Sequence, residues 1–376
     1  MDFGLNEEQQ MLQTMAQDFL AEEFPDKVLK AMVADDKGFT PELWAKLAGT
    51  NLTGLALPEE FGGVGDFLDL IVVLEEMGRA CFISPFFASV VLGAGVIVEA
   101  GSDMQKSELL PQITEGKMRV TLAFPEQSGN YTAEGIKLKA EKQGSDYLLN
   151  GTKLFVPDGQ NADYIIVAAR TSERKDLHEG LTLFIVNAKS TGISITPLET
   201  VSGDKQAKIE FNGVTVPTET ILGDVDTAWQ ILEKVSQRAA VARCAEMVGL
   251  AKKALDISLE YAKERMAFGH AIGAFQSIQH RFADMIIDLD TSRYLTQQAA
   301  WRINEHMPAA REVAIAKAWV NRACTRIIHS AHQVHGAIGF TEDHILHYYT
   351  KRIRSYEFSF GDADYHFSEI TRLALS

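Results

Sequence analysis

Apolar residues recur at helical spacing through the first part of the chain, fall into short alternating or continuous blocks in the middle, and return to helical spacing towards the end. In the first part Met11, Leu12, Met15, Phe19 and Leu20 mark one face of a helix expected over residues 5–24, which Pro25 ends. Thr40-Pro41-Glu42-Leu43 puts a capping hydroxyl before a proline at the first helical position, so another helix starts there. Pro58 to Gly63, PEEFGG, reads as a turn, and the apolar run 86–98 reads as a buried helix. From about Val120 to Leu222 β-branched residues dominate. Residues 136–142 alternate, 164–169 and 181–186 read as buried strands, and Asn150-Gly151 is a hairpin signal. After Gly223, helices are expected over 228–268, 275–304 and 309–334, with a shorter one from Glu342. Short connections between long amphipathic helices indicate a bundle. The expected fold is α+β and multidomain: an N-terminal all-α domain (1–118), a middle antiparallel β-barrel or sandwich domain (119–224) and a C-terminal four-helix bundle (225–376).

Composition narrows the partners more than the fold. The 376 residues carry a net charge of −15 with no basic stripe interleaved with aromatics, so nucleic acid is not expected. Residues 86–98 are too few for the ~20 a membrane span needs. The acidic, polar N-terminus has none of the features of a secretory signal. Cys81, Cys244 and Cys324 are odd in number and scattered, which fits reduced thiols and a cytoplasmic protein.

Candidate chemistry concentrates at residues 264–285, ERMAFGHAIGAFQSIQHRFADM, a helix end, a tight turn at Phe268-Gly269 and a second helix opening at Phe275-Gln276. One cation, two aromatics and an amide meet there. Arg265 can fork onto a pyrophosphate, Phe268 and Phe275 can cover a ring, and Gln276 can pair with polar ring edges. The same residues could equally pack a plain helical hairpin. His329, His332 and His335 recur every third residue, but helical zinc sites want histidines at i and i+4 with an acid nearby, so no metal is expected. Gly54-Leu55-Ala56 and Gly93-Ala94-Gly95 are not a dinucleotide fingerprint, and neither a P-loop nor a GxSxG elbow occurs.

The order helices, sheet, helices and four stretches together resemble the acyl-CoA dehydrogenases: PEEFGG at Pro58, NGTKLFVPDGQNADYIIVAAR at Asn150, ERMAFGHAIGAFQ at Glu264, and QVHGAIGFTEDH at Gln333. The resemblance covers nearly the whole chain and implies FAD held between the sheet domain and the bundle, with a neighbouring subunit completing the site. It assigns Arg265, Phe268 and Gln276 to the pyrophosphate and adenosine part of the flavin. Gln333, Gly336 and Ala337 would approach the same cofactor from the partner subunit, and Phe155 and Val156 would lie against the flavin ring. Pro157 stands where the family has a hydroxyl residue, and Phe124 to Gly129 keeps only part of the family's phosphate-side loop.

The resemblance also implies a reaction: a carboxylate removes the α-proton of an acyl-CoA thioester while the β-hydride leaves for the flavin. Most relatives carry that acid in a turn near the C-terminus, which here is Phe360; a minority carry it on the first bundle helix, which here is Ala239. The remaining candidates are Glu246, two turns beyond Ala239 among small apolar residues, then Asp362, then Glu357. Each has a plain alternative: an ion pair with Arg243, a helix cap, and an ion pair with Arg354. A bulky or cyclic acyl group, a homotetramer and an electron-transfer flavoprotein as acceptor are the expectations. A non-catalytic subunit of a heterotetramer, as in the steroid and cyclic acyl-CoA branch, is the alternative. The residues do not distinguish a dehydrogenase from an oxidase.

Overall fold

The computed structural model describes residues 4–375. Its first helices are α1 (Glu7–Glu23), α2 (Asp26–Ala34), α3 (Pro41–Gly49) and α4 (Phe67–Arg79). The expected start signal at Thr40 acts as a cap, and α1 starts from a cap at Asn6 that lies inside the helix expected over 5–24. Asn6 and Gln9 form a reciprocal capping box on α1, and the Thr40 side chain accepts from the Leu43 amide with Pro41 at the first position of α3. PEEFGG folds as a single 3-10 turn over Glu59–Phe61, closed by Gly62 at φ 82°. The apolar run is helical and buried, as its composition requires, but Phe87–Ala94 winds as a π-helix before continuing as α5 (Gly95–Ala100) and, after a break, α6 (Asp103–Thr114).

The middle of the chain forms an eight-stranded sheet: β1 (Val120–Ala123), β2 (Lys139–Gln143), β3 (Asp146–Pro157), β4 (Tyr164–Arg170), β5 (Leu181–Asn187), β6 (Ile193–Leu198), β7 (Gln206–Pro217) and β8 (Ile221–Leu222). The order is β6-β7-β3-β2-β4-β5-β8, with β1 paired to β4. Most pairs are antiparallel, as the alternation suggests, but β1 and β2 run parallel to β4. Its core includes Tyr147, Leu149, Val156, Ile165, Phe184 and Phe211.

Asn150-Gly151 is not a hairpin turn. It lies inside β3 at a bulge, where the Asn150 side chain accepts from the Gly213 amide, while the β2–β3 turn falls at Gly144-Ser145. A dipeptide suited to positive φ serves a bulge here, so the local signal was right about backbone freedom and wrong about chain reversal.

The last part contains α7 (Ala228–Glu264), a two-stranded ribbon of β9 (Met266–Ala267) and β10 (His270–Ala271), α8 (Gln276–Asn304), α9 (Ala310–His335), α10 (Leu346–Tyr356) and α11 (Ala363–Leu375). The first of these helices stops at Glu264, earlier than its apolar pattern suggests, because the ribbon captures the next residues. By contacts the chain falls into two compact units. One gathers residues up to Ala31, Phe67–Phe82 and Ala240 onwards; the other gathers Met32–Asp66 and Ile83–Ala239. In the first unit α4 crosses α7 at glycines: a Cβ added to Gly78 would sit 2.0 Å from the Glu246 carbonyl oxygen, and one on Gly249 1.8 Å from that of Glu75. Any side chain at either position would force the helices apart.

Candidate active site

The ribbon after α7 presents the cofactor candidates to solvent. Phe268 and Gly269 both have positive φ (53° and 83°), so the chain reverses tightly and the Phe268 ring stands 95% exposed, 6.3 Å edge-on from Phe275. Arg265 and Gln276 are exposed beside them, and Arg265 has no ion-pair partner among the described residues. Tyr261, one turn before Arg265, stacks on His335 with centroids 4.6 Å apart. That contact ties the end of α7 to the end of α9, where Gln333, Gly336 and Ala337 are exposed. Gly336 takes φ 64° and ψ −142°, and nothing lies within 4 Å of an added Cβ. This backbone is nearly restricted to glycine and faces open space.

In the sheet, β3 bulges between Lys153 and Val156, and Phe155 sits there at φ 54° with its ring 47% exposed. The bulge separates the expected pair. Phe155 points outwards, whereas Val156 is fully buried in the sheet core, with neither its side chain nor its backbone open to a ligand. Pro157 ends the strand with its carbonyl accepting from the Thr121 hydroxyl at 2.6 Å. Beneath the loop at residues 124–130, the buried Lys153 donates to Glu126 (2.7 Å) and to the Phe124 carbonyl, while Glu126 also accepts from the amides of Lys137 and Leu138. Burial pushes the Lys153 amine below its ordinary value, and Glu126 opposes that shift.

The candidate acids are all engaged. Glu246 is 6% exposed and meets Arg243 at 2.5 Å; that guanidinium also lies over the Tyr356 ring at 4.1 Å. Asp362 caps α11 by accepting from the Tyr365 amide at 2.8 Å. Glu357 pairs with Arg354 at 2.7 Å and accepts from Thr325. At the two family positions Ala239 and Phe360 are both buried.

The turn carrying Phe360 is held by three side chains that sequence reasoning passed over. Lys317, buried on α9, donates to Asn321 Oδ1 and to the Tyr356 carbonyl; Asn321 donates to the Glu357 carbonyl; His366 bonds the Phe360 carbonyl at 2.9 Å. Because a carbonyl can only accept, His366 carries its proton on Nε2. Burial brings Lys317 down to about 8, and burial with the Lys317 charge brings His366 down to about 4. Phe360 and Gly361 adopt positive φ (57° and 99°), a strained backbone that these donors stabilise. A polar pair at i, i+4 on an otherwise apolar helix face was the available signal.

The three histidines of α9 part company. His329 is exposed, His332 bonds Thr350 at 2.6 Å, and His335 stacks on Tyr261. Among the described residues no group of three or more His, Cys, Asp or Glu is placed to hold a metal ion, and no helix is long and apolar enough to cross a membrane.

Three family descriptions match consecutive parts of the chain: "Acyl-CoA dehydrogenase, N-terminal domain" over residues 6–117, the middle domain over 121–214 and the C-terminal domain over 229–375. The chain belongs to the acyl-CoA dehydrogenase family. It is 32% identical to a probable acyl-CoA dehydrogenase, YngJ, of Bacillus subtilis, over 100% of this chain and 99% of that protein. It is 29% identical to a subunit, CarC, of the caffeyl-CoA reductase–Etf complex of Acetobacterium woodii, over 90% of each. The solved structure of the ChsE4–ChsE5 complex of Mycobacterium tuberculosis superposes with a TM-score of 0.91 at 29% identity, over 100% of both chains.

Acyl-CoA dehydrogenases are flavoprotein oxidoreductases acting on CH–CH groups, and they use FAD. Within the bundle unit, a fork-shaped cation, the exposed Phe268 ring and a glycine backbone open to close approach suit parts of that cofactor. Two expected features depart from that set: Pro157 offers no hydroxyl, and the loop at 124–129 keeps only part of the family's pattern.

Proposed function

We propose that this acyl-CoA dehydrogenase carries out α,β-dehydrogenation of a bulky or cyclic acyl-CoA thioester. The observation that carries the reading is the pair of buried apolar residues, Ala239 and Phe360, at the two places where the family keeps its base. Exchanging acids for side chains of different shape changes the room left for an acyl group. Arg265, Phe268, Phe275 and Gln276 would hold the phosphates and adenosine of FAD, Phe155 would meet its ring without the buried Val156, and Gln333, Gly336 and Ala337 would serve the flavin of a second copy. Bound FAD supplies the hydride acceptor.

Glu246 is the stronger candidate for taking the α-proton, because it is buried among Ala242, Ala245 and Leu250 where water is excluded. To do so it must leave Arg243, and that cation remains nearby to balance charge. Asp362 is the second candidate and would have to surrender its cap on α11. The enzyme is proposed to be a cytoplasmic homotetramer, with cytoplasmic placement resting on three buried free thiols. Electron transfer to an electron-transfer flavoprotein rests on the likeness to CarC. The domain division at 118/119 and 224/225 belongs to the same proposal.

A second reading is favoured by one observation: every nearby acid is already paired or capping. In it the chain is the non-catalytic partner in a heterotetramer of the steroid or cyclic acyl-CoA branch, a reading supported by likeness to a two-protein complex. Purifying the chain alone and adding acyl-CoA thioesters without oxygen separates the two. Bleaching of the flavin supports the first reading, and its loss in Glu246→Gln or Asp362→Asn names the base. A yellow protein that never bleaches supports the second, especially if Phe360→Glu makes it bleach. Clearly faster reaction with linear than with cyclic acyl groups would overturn the substrate assignment.

A further inference from the structure

Within the bundle unit, Glu246 is held at its root and at its tip by different partners. The crossing of α4 over α7 is so close that a Cβ added to Gly78 would lie 2.0 Å from the Glu246 carbonyl oxygen and 2.7 Å from its Cα. Backbone rests on backbone there, so the start of the glutamate side chain is fixed. Its carboxylate meets Arg243 at 2.5 Å, with both side chains buried. Taking two such charges out of water costs about as much as their attraction returns, so the pair adds little net stability. A role beyond bracing the helix is therefore open to it.

Arg243 has a second anchor. Its guanidinium lies 4.1 Å from the centre of the Tyr356 ring on α10, a distance at which cation and ring attract. That ring is fixed at both ends: the Tyr356 hydroxyl accepts from Arg352 at 3.2 Å, and its carbonyl accepts from the buried Lys317 at 2.9 Å. Arg352 is buried too and also donates to the Phe82 carbonyl at 3.4 Å. The ring under Arg243 is thus tied to α9 and, through Arg352, to the end of α4.

We propose that Arg243, anchored on Tyr356, is a positioning residue for Glu246. With the backbone fixed at Gly78 and the guanidinium fixed on the ring, the glutamate's own torsions are the moving part. Arg243 supplies the counter-charge while the carboxylate is at rest, and it stays on the ring when the carboxylate turns away to take a proton. A buried acid can then reach a substrate without drawing a helix or a cation along with it. The inference rests on the function proposed above, in which Glu246 is the base, and adds the residues that hold and release it.

The test follows flavin bleaching without oxygen, using the cyclic acyl-CoA that bleaches the parent fastest and the same thioester deuterated at the α-carbon. Arg243→Met and Tyr356→Leu should slow bleaching about a hundredfold, the scale of a misplaced general base. The deuterated thioester should be slowed further in both, while flavin content and the Kd for the thioester stay close to the parent's. Arg243→Lys and Tyr356→Phe, which keep the charge and the ring, should recover most of the rate. Arg243→Met leaves a buried carboxylate without its counter-charge, so Tyr356→Leu, which keeps the ion pair, decides the matter if the first variant does not fold. Tyr356→Leu bleaching as fast as the parent while Glu246→Gln is inert would overturn the positioning role and keep Glu246 as the base. A rate loss matched by equal losses of flavin or thioester binding would also overturn it, since a structural defect alone does that. Glu246→Gln bleaching like the parent, or a parent that never bleaches, removes the base and the positioning role together.

Discussion

Two ends of the same bundle are built on opposite principles. Around the ribbon and the end of α9, the candidate side chains are exposed and carry little internal bonding: Arg265, Phe268 and Gln333 spend almost nothing on the fold. Around the turn at residues 356–361, the polar side chains of Lys317, Asn321 and His366 are buried and grip the carbonyls of Tyr356, Glu357 and Phe360. The first end leaves its cation, ring and amide open to solvent. The second is a rigid frame whose central side chain, Phe360, has no acid to offer. A scaffold can therefore outlast the chemical group it would hold, because backbone carbonyls are gripped without regard to the side chain they carry.

If that contrast is real, disturbing the frame should cost stability and disturbing the open end should cost binding. Lys317→Met should have the largest effect, about 4 kcal/mol, since it leaves two buried acceptors without a donor; a lowered melting temperature with flavin binding unaltered at low temperature would show it. A variant as stable as the parent would break the comparison.

Acid stability comes next. His366 titrates near 4 in the fold and near 6.5 when unfolded, so the unfolded chain binds the extra proton between those values. Stability from this group is full above about pH 6.5 and declines by up to about 3 kcal/mol as the pH falls to 4. Denaturant midpoints for His366→Gln should show a shallower loss over that window, even if the variant starts lower.

At the open end, Arg265→Ala should weaken FAD binding by about 2 kcal/mol, the value of charge-assisted hydrogen bonds, with an unchanged melting temperature for the flavin-free protein. Gly336→Ala should have the smallest total effect, about 1 kcal/mol of stability from the strained backbone, because no neighbour blocks the methyl group. A larger loss would mean that the end of α9 is packed more tightly than the open space around Gly336 indicates.

The residue pattern by itself determined the succession of helices, sheet and bundle, the cap at Thr40, and the family likeness. These depend on periodicity and on contacts only a few residues apart. It also located the exposed side chains of the ribbon, since a short motif carries its own geometry. Tertiary structure alone decided what became of the acids. Glu246 is ordinary in sequence, and only packing against Gly78 and Tyr356 puts it in a buried pair with Arg243. Asn150-Gly151 bulges instead of turning because β7 runs alongside it, and Lys317 reaches a turn 39 residues away. Each of those outcomes depends on which distant backbone supplies the partner, and that is fixed only when the chain has folded.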